Sequence, residues 1–201
     1  MTSSGEIIVG LSIAASGALS RQGREALDGA RLWESYINQS GGIAVAPDAR
    51  RPVRLIWLDD ESRLDRARLN VSRLLADERV DLLLGPYGSA ATLAAAELAD
   101  RRGRILWNYG GASDDIFSRG FRRLVGIFSP ASDYLRALPA WLARTHPSLR
   151  RILVAHLARG SFGAHIARGI WEAAAAVGAF VVEAVPYGPG AVLQVLDTRP
   201  V

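Results

Sequence analysis

Residues 80–92 read VDLLLGPYGSAAT, and the fold follows from how this stretch changes character. Val80 to Leu84 is a short apolar run bounded by turn residues, the pattern of a buried strand. Gly85, Pro86 and Gly88 punctuate it. From there the residues become small, and Ala91, Ala94, Ala95 and Leu98 recur at helical spacing. A helix with so small an apolar face is expected to pack closely on a sheet.

The same alternation extends both ways. Upstream, Glu6 to Ile13 (EIIVGLSI) reads as a first strand, and Ala26, Ala30, Trp33 and Ile37 form the stripe of an amphipathic helix ended by NQSGG (38–42). Pro47 to Pro52 reads as loop, Val53 to Leu58 as a second strand, and Ala67, Val71, Leu74 and Leu75 as a second helical stripe. The strand at Val80 is then the third. Downstream, Ile105 to Asn108 reads as a fourth strand and Phe121 to Phe128 as a fifth. Tyr134, Leu138, Trp141 and Leu142 form a stripe that contains Pro139. Proline costs about 3 kcal/mol inside a helix, so this helix is expected to start near Pro139 or kink there. Ile152 to Leu157 is a sixth strand, Ile166 to Val177 a helix, and Phe180 to Val185 a seventh strand. From Pro186 the pattern dissolves. Strands and helices alternating at this spacing predict an α/β fold, with parallel sheets, right-handed crossovers and helices on both faces. The best composition break, Ser129-Pro130, predicts a first lobe over 1–128 and a partial second lobe over 129–201.

Composition excludes whole chemistries. The chain has 201 residues, 49% hydrophobic and 22% charged, which fits a soluble globular protein and not a disordered one. It has no Lys, so all 24 basic residues are Arg. A Walker A lysine, a Schiff-base lysine and a Lys general base are therefore absent. With no Cys there is no disulfide, thiolate nucleophile or Cys-ligated metal. The Arg residues are scattered among acids, as in ESRLDRARLN (61–70), which reads as a solvated helix face and not a nucleic-acid footprint. No window approaches a membrane span, and the start MTSSGEIIVGLSI lacks a basic n-region. The protein is expected to stay where it is made or to have lost a signal peptide.

In open parallel sheets ligands bind beyond the carboxyl ends of the strands, where the strand order reverses. Those ends are the loops 14–22, 85–88, 109–113 and 158–162. In GPYGSAAT, Ser89 reads as the N-cap of a helix, aiming a hydroxyl and backbone N–H groups at one point beside Gly88, which suits a carboxylate or phosphate. The plainer alternative is that Ser89 caps only its own helix. In NYGGASDD (108–115), Gly110 and Gly111 let backbone approach a ligand, Ala112 follows, and Ser113 caps a short turn with Asp114 and Asp115 in it. Tyr87, Trp107, Tyr109 and Phe162 lie in or beside these loops, where an aromatic can line an apolar pocket or, more commonly, serve as a plain core or surface residue, and Trp107, inside a strand, is expected in the core. Catalytic residues are sparse. His146 reads as surface, His156 as a core histidine in a buried strand, and His165 lies in the first turn of a helix. No HExxH, GxSxG or GxGxxG occurs. Asp59-Asp60 ends the second strand, where a phosphoryl acceptor or metal ligand can sit, but solvated strand-end acids are the simpler reading. No metal site or cofactor is expected.

The order IIVGLSIAASGALSRQG, GAR, NQSGGI, LIWLDDES, LLLGPYGSAAT, GGASDD with RGF, and RRILVAH with GSFG resembles the type I periplasmic binding proteins, in particular the leucine/isoleucine/valine-binding branch. The resemblance runs from about Glu6 to Tyr187. It implies two α/β lobes joined by a hinge that close on a small ligand and deliver it to an ABC transporter permease. By position it implies that Ser89 binds the ligand carboxylate, that Ser113 binds carboxylate and ammonium, and that the Gly111 carbonyl accepts from the ammonium. Gln22 falls where the family often has a pocket aromatic, and Phe162 matches an aromatic of the second lobe. After Gly190 the chain departs from the family, which continues well beyond, so a truncated member is expected, prone to self-association.

The reading that follows is a periplasmic or extracytoplasmic solute-binding protein for an amino acid or a related small amide or carboxylate, with no catalysis. The alternatives are a cytosolic ligand-sensing regulator on the same fold and, further off, an α/β enzyme.

Overall fold

The computed structural model describes residues 5–78 and 80–188. The expected loss of pattern after Gly190 lies outside them. By its contacts the chain divides into two units, Met1–Gly111 with Gly120–Phe128, and Ala112–Arg119 with Ser129–Val201. Residues 112–119 thus pack with the second unit, so the single crossing expected after residue 128 is one of three.

In the first unit the strands are β1 (Ile7–Ile13), β2 (Ile43–Ala46), β3 (Ala49–Arg51), β4 (Val53–Asp59), β5 (Leu82–Leu84), β6 (Ile105–Asn108) and β7 (Leu124–Gly126). The helices are α1 (Ser20–Gln39), α2 (Leu64–Ala76) and α3 (Ser89–Arg101). The main sheet has the order β4-β1-β5-β6-β7, and every pairing in it is parallel. The five strands read from the sequence are these five. The order reverses at β1, because the chain steps first to β4 on one side and then to β5 on the other.

Alternation along the strands sorts the core into two layers. On one face Leu83 and Leu106 pack with Val80, with Val71, Leu74 and Leu75 of α2, and with Ala95, Ala96 and Ala99 of α3. Leu83 and Leu106 are essentially inaccessible, and each such side chain contributes roughly 1.5–3 kcal/mol by burial. The alanine face of α3 lets it lie close to the sheet, as its sequence implied. On the other face Val9, Leu11 and Val53 pack with Leu55, Leu82 and Leu84 and with Ala30 and Ile37 of α1. Register carries this second face on to Ile105 and Trp107, yet Trp107 is 44% exposed. The expectation of a core Trp107 fails because, among the described residues, no helix covers that end of the face. The segment read as loop around Pro47 is instead an antiparallel hairpin of β2 and β3.

The second unit contains α4 (Asp114–Ser118), a 3-10 turn (Ala131–Asp133), α5 (Leu138–Thr145), β8 (Arg151–Leu157), α6 (Phe162–Val177) and β9 (Val181–Tyr187). Pro139 lies in the first turn of α5, where its missing N–H costs nothing. Strands β8 and β9 pair in parallel. Helix α6 covers the face that carries His156, whose Cβ lies 3.0 Å from the place a side chain on Gly163 would occupy. The opposite face of β8, with Arg151, Leu153, Ala155 and Leu157, is exposed. Parallel sheets are ordinarily covered on both faces. The reading of His156 as a core residue is corrected even on the covered face. It is only partly buried, with Nδ1 3.0 Å from the Leu157 carbonyl.

Candidate functional site

At the reversal point of the first unit, four loops leave the carboxyl ends of β1, β4, β5 and β6, and they are laced in pairs. Ser62 Oγ donates to the Ser16 carbonyl (2.7 Å) and accepts the Leu19 N–H (2.9 Å). Asp59 accepts both the Ser16 hydroxyl (2.7 Å) and the Ser16 N–H (3.2 Å). Glu61 and Ser62 have φ of 55° and 59°, an uncommon conformation for residues with side chains. The bonds from Glu61 N–H to Asp59 (2.9 Å) and from Ser62 N–H to Asp60 (3.0 Å) hold them there. On the other side, the Gly85 N–H donates to the Trp107 carbonyl (2.8 Å) and the Gly88 N–H to the Gly110 carbonyl (2.9 Å).

Asp60 is not the solvated acid expected from its place at a strand end. It is 3% exposed and accepts the Ser12 hydroxyl at 3.1 Å. Burial pushes its pKa up against the hydrogen bonds from Ser12 and Ser62. Burial also pushes the pKa of Asp59 up, but its bonds with Ser16 and Glu61 outweigh this and hold it below the usual range.

Ser89 is the first residue of α3, and Gly88 occupies the cap position with φ of 93°. The expected N-cap is therefore displaced by one residue, because the turn needs a left-handed conformation that glycine adopts without strain. The placement of the helix start at this strand end stands. Thr92 Oγ1 donates to the Pro86 carbonyl (3.0 Å) and ties the first turn of α3 to the loop. The first-turn amides of a helix have no carbonyl partner within it, and the helix dipole favours an anion there. Tyr87 and Gly88 sit half-buried in this loop, and Gln22 is exposed in the first turn of α1.

Asn108 is a site residue that the sequence reading passed over. It is fully buried. Its Oδ1 accepts the N–H groups of Gly110 (3.1 Å) and Gly111 (2.9 Å), and its Nδ2 donates to the Gly111 carbonyl (2.7 Å). An Asn followed at once by Tyr-Gly-Gly is the composition of such an Asx turn. Gly110 is required at its position, since a Cβ there would lie 2.8 Å from both the Pro86 carbonyl oxygen and Tyr87 Cα. Tyr109 stands between Asn108 and this glycine. Its hydroxyl is buried and has no hydrogen-bond partner among the described residues.

In the second unit, Ser113 caps α4 as read. Its Oγ accepts the Asp115 N–H (3.4 Å), donates to Asp115 Oδ2 (3.0 Å) and lies 2.8 Å from Ser161 Oγ. The bond from Ser161, opposed by burial and helped by Ser113, holds Asp115 below the usual carboxylate range. His165 Nδ1 accepts the Asp114 N–H (3.1 Å) and lies 3.2 Å from Ser113 Oγ. A Ser–His pair at this distance is the first element of a nucleophile–base pair. Here, however, Ser113 is 2% exposed, and its hydroxyl is occupied in capping the helix. Asp114 accepts the Ser132 N–H (3.1 Å) and pairs with Arg168. Ala112, 7% exposed, accepts the Ala131 N–H (2.7 Å). Phe162 opens α6, 41% exposed, with its ring edge-to-face on Tyr134 at 5.7 Å.

The structure therefore brings Tyr87, Gly88, Ser89, Tyr109 and Gly111 to the strand ends of the first unit, with Gln22 nearby on α1. Ala112, Ser113 and Phe162 belong to the second unit. A groove of about 180 Å³ lined by Arg68, Ser72, Glu97 and Arg101 lies on helix faces of α2 and α3 and involves none of these residues. Among the described residues no group of His, Asp and Glu could hold a metal ion, and no helix is long and apolar enough to cross a membrane.

Comparison with known proteins places this geometry. The branched-chain amino acid transporter substrate-binding protein LivJ of Streptococcus pneumoniae, solved with isoleucine, superposes with a TM-score of 0.80 at 20% identity, over 97% of this chain and 55% of that one. A leucine-binding protein LivK of Thermotoga maritima gives 0.75 at 18% identity, over 96% and 53%. An ABC transporter solute-binding protein of R. palustris, solved with 4-hydroxybenzoate, gives 0.78 at 16% identity, over 96% and 51%. At these identities the likeness establishes the fold, and the chain spans about half the length of each. The family model described as periplasmic binding protein matches residues 6–194, nearly the whole sequence, and the chain belongs to the periplasmic binding protein family.

Proposed function

We propose that this chain carries the carboxylate-anchoring part of a solute-binding protein that captures an amino acid or a related small carboxylate or amide for an ABC importer outside the cytoplasm. The observation that carries this reading is the start of α3 at the sheet's reversal point, where Gly88, Ser89 and the first turn of the helix follow β5 beside the Tyr87 and Tyr109 loops. An anion is the ligand group such a helix start favours. The Gly111 carbonyl lies in the adjacent loop, where it already accepts from Asn108, and a carbonyl's second lone pair remains for an ammonium. Ser113, Ala112 and Phe162 are further ligand contacts in this reading, and a permease is the partner. Two of the solved neighbours were solved with isoleucine and with 4-hydroxybenzoate, which supports a small carboxylate, aliphatic or aromatic, as the ligand in this reading.

The test is an amide NMR titration of the chain with isoleucine, leucine and benzoate up to millimolar concentration, in the wild type and in Ser89→Ala. Saturable shifts at the amides around Gly88 and Ser89, weakened about ten- to a hundred-fold by the substitution, match the loss of a hydrogen bond to a charged group of about 1.5–3 kcal/mol. No perturbation by any carboxylate would overturn the reading.

A further inference from the structure

We infer that Asn108 is a positioning residue for the carboxylate anchor, which it holds in place through the loop after β6. This rests on the solute-binding reading above. Asn108 is fully buried, so it acts through the backbone and not by touching a ligand. Its Oδ1 accepts the N–H groups of Gly110 (3.1 Å) and Gly111 (2.9 Å), and its Nδ2 donates to the Gly111 carbonyl (2.7 Å). Both lone pairs of the amide oxygen are thereby used. Two successive glycines are free to take many loop conformations, and these three bonds fix them in one.

Gly110 passes that constraint to the next loop. Its carbonyl accepts the Gly88 N–H (2.9 Å). Its Cα is seated so closely against the loop after β5 that a Cβ would lie 2.8 Å from the Pro86 carbonyl oxygen and from Tyr87 Cα. The same Pro86 carbonyl accepts Thr92 Oγ1 (3.0 Å) from the first turn of α3. Hydrogen bonds therefore run without a break from Asn108 through Gly110 to Gly88, the residue before Ser89. Gly88 needs this outside support. A helix is usually capped by a side chain that bonds its own first-turn amides. Gly88 has none, and at φ of 93° it stands in a region of backbone space where glycine has other conformations open to it. A binding group works only when it is held within about 0.5 Å of its productive place. Asn108 supplies that constraint from the end of the neighbouring strand.

The experiment is a double-mutant cycle. NMR titrations with isoleucine, leucine and benzoate are made on the wild type, Ser89→Ala, Asn108→Ser and the double variant, and the cycle uses the probe that binds the wild type most tightly. Asn108→Ser should weaken that probe about tenfold, a large part of what a hydrogen bond to a charged group is worth. In the Ser89→Ala background the same change should weaken it about twofold, because the donor being positioned is already gone. A residue that merely supports the fold gives the same factor in both backgrounds. Equal factors overturn the inference while leaving the anchor intact, and so does an Asn108→Ser variant that binds as tightly as the wild type. A second measurement uses the wild type alone and does not depend on how well Asn108→Ser folds. Coupling is reciprocal, so an anchor held by the Asn108 loop must steady that loop when occupied, and the Gly88 and Gly110 amides should both exchange about threefold or more slowly with the probe bound. No slowing at Gly110 overturns the inference. Absence of binding by all three probes overturns the solute-binding reading and the inference with it.

Discussion

Helix α1 contains two glycines whose surroundings differ completely, and replacing each by alanine should shift stability in opposite directions. A Cβ built on Gly23 would lie 2.0 Å from the Ala14 carbonyl oxygen and 2.5 Å from its carbon, whereas one built on Gly29 meets nothing within 4 Å. Alanine is favoured over glycine in a helix interior by about 1 kcal/mol, so Gly29→Ala should stabilise the chain by about that amount. Gly23→Ala receives the same benefit, but its new methyl meets main chain, which cannot rotate away as a side chain would. Helix or loop must yield by about 1 Å to reach the 3.0 Å below which real Cβ contacts essentially never fall. Overpacking of this kind costs about 1–3 kcal/mol, and backbone against backbone belongs at the upper end, leaving a net loss of about 2 kcal/mol. The two variants should then differ by about 3 kcal/mol. With a denaturant slope of about 2 kcal/mol/M, that is about 1.5 M urea between their midpoints. Far-UV circular dichroism gives the midpoints, and amide exchange in β1 and β4 assigns the loss to the first unit. If Gly23→Ala proves as stable as Gly29→Ala, the close seating of α1 on the end of β1 is wrong. The position of the Ser16–Leu19 loop would fall with it.

Acid should act on stability in two phases. Asp59, Asp114 and Asp115 have lowered pKa values in the folded chain, so the stability they add is present above the ordinary carboxylate pKa of about 4 and is lost as pH falls below it. Asp60 is raised, so it stays protonated in the folded chain where the unfolded chain has already ionised. Its contribution therefore improves as pH falls from neutrality toward about 4, and Asp60→Asn should flatten that upper phase alone in a urea titration against pH. The exposed face of β8 and β9 carries Leu153, Leu157 and Val181, which are 40%, 48% and 66% exposed, and apolar surface beside strand edges that are unpaired among the described residues favours association. Light scattering should find a mass above that of the monomer, lowered by Leu153→Lys. An unchanged mass in that variant would move the contact elsewhere.

The parts of the fold that the sequence disclosed are those governed by local periodicity. The five strands of the first sheet, the helix start after Gly88 and the helix beginning at Pro139 each follow from a few adjacent residues. What the sequence concealed depends on neighbours far along the chain. Trp107 alternates correctly for a buried strand, but burial is decided by what lies over it, and that information is not in β6. His156 fails in β8 for a related reason, since α6 lies over its face but leaves it partly exposed. The β2–β3 hairpin escaped because Ala44, Val45 and Ala46 are all exposed, leaving no alternation to detect around Pro47 and Asp48. At the site, the glycines and Ser89 were legible as turn chemistry. Asn108 is hidden although an Asn-Tyr-Gly-Gly run is a turn signature, because it is also the last residue of a strand. The burial of Asp60 was not legible, since it depends on Ser12, 48 positions earlier.

The sheet order has a consequence for how this protein is made. β1 is the first of the five strands of its sheet to be synthesised, yet it is an interior strand of the finished sheet. Its partners are β4, whose pairing residues end at Asp59, and β5, which ends at Leu84. The apolar segment IIVGLSI must therefore wait for about 70 further residues before both its edges are satisfied. At a synthesis rate of about 5–20 residues per second, that interval lasts roughly 4–14 s. Long-range parallel pairing is slow to form in any case. Throughout that time at least one edge of a strongly β-forming strand is open to any other nascent chain. Production of this protein should therefore respond more to chaperone supply and synthesis rate than its final stability would suggest.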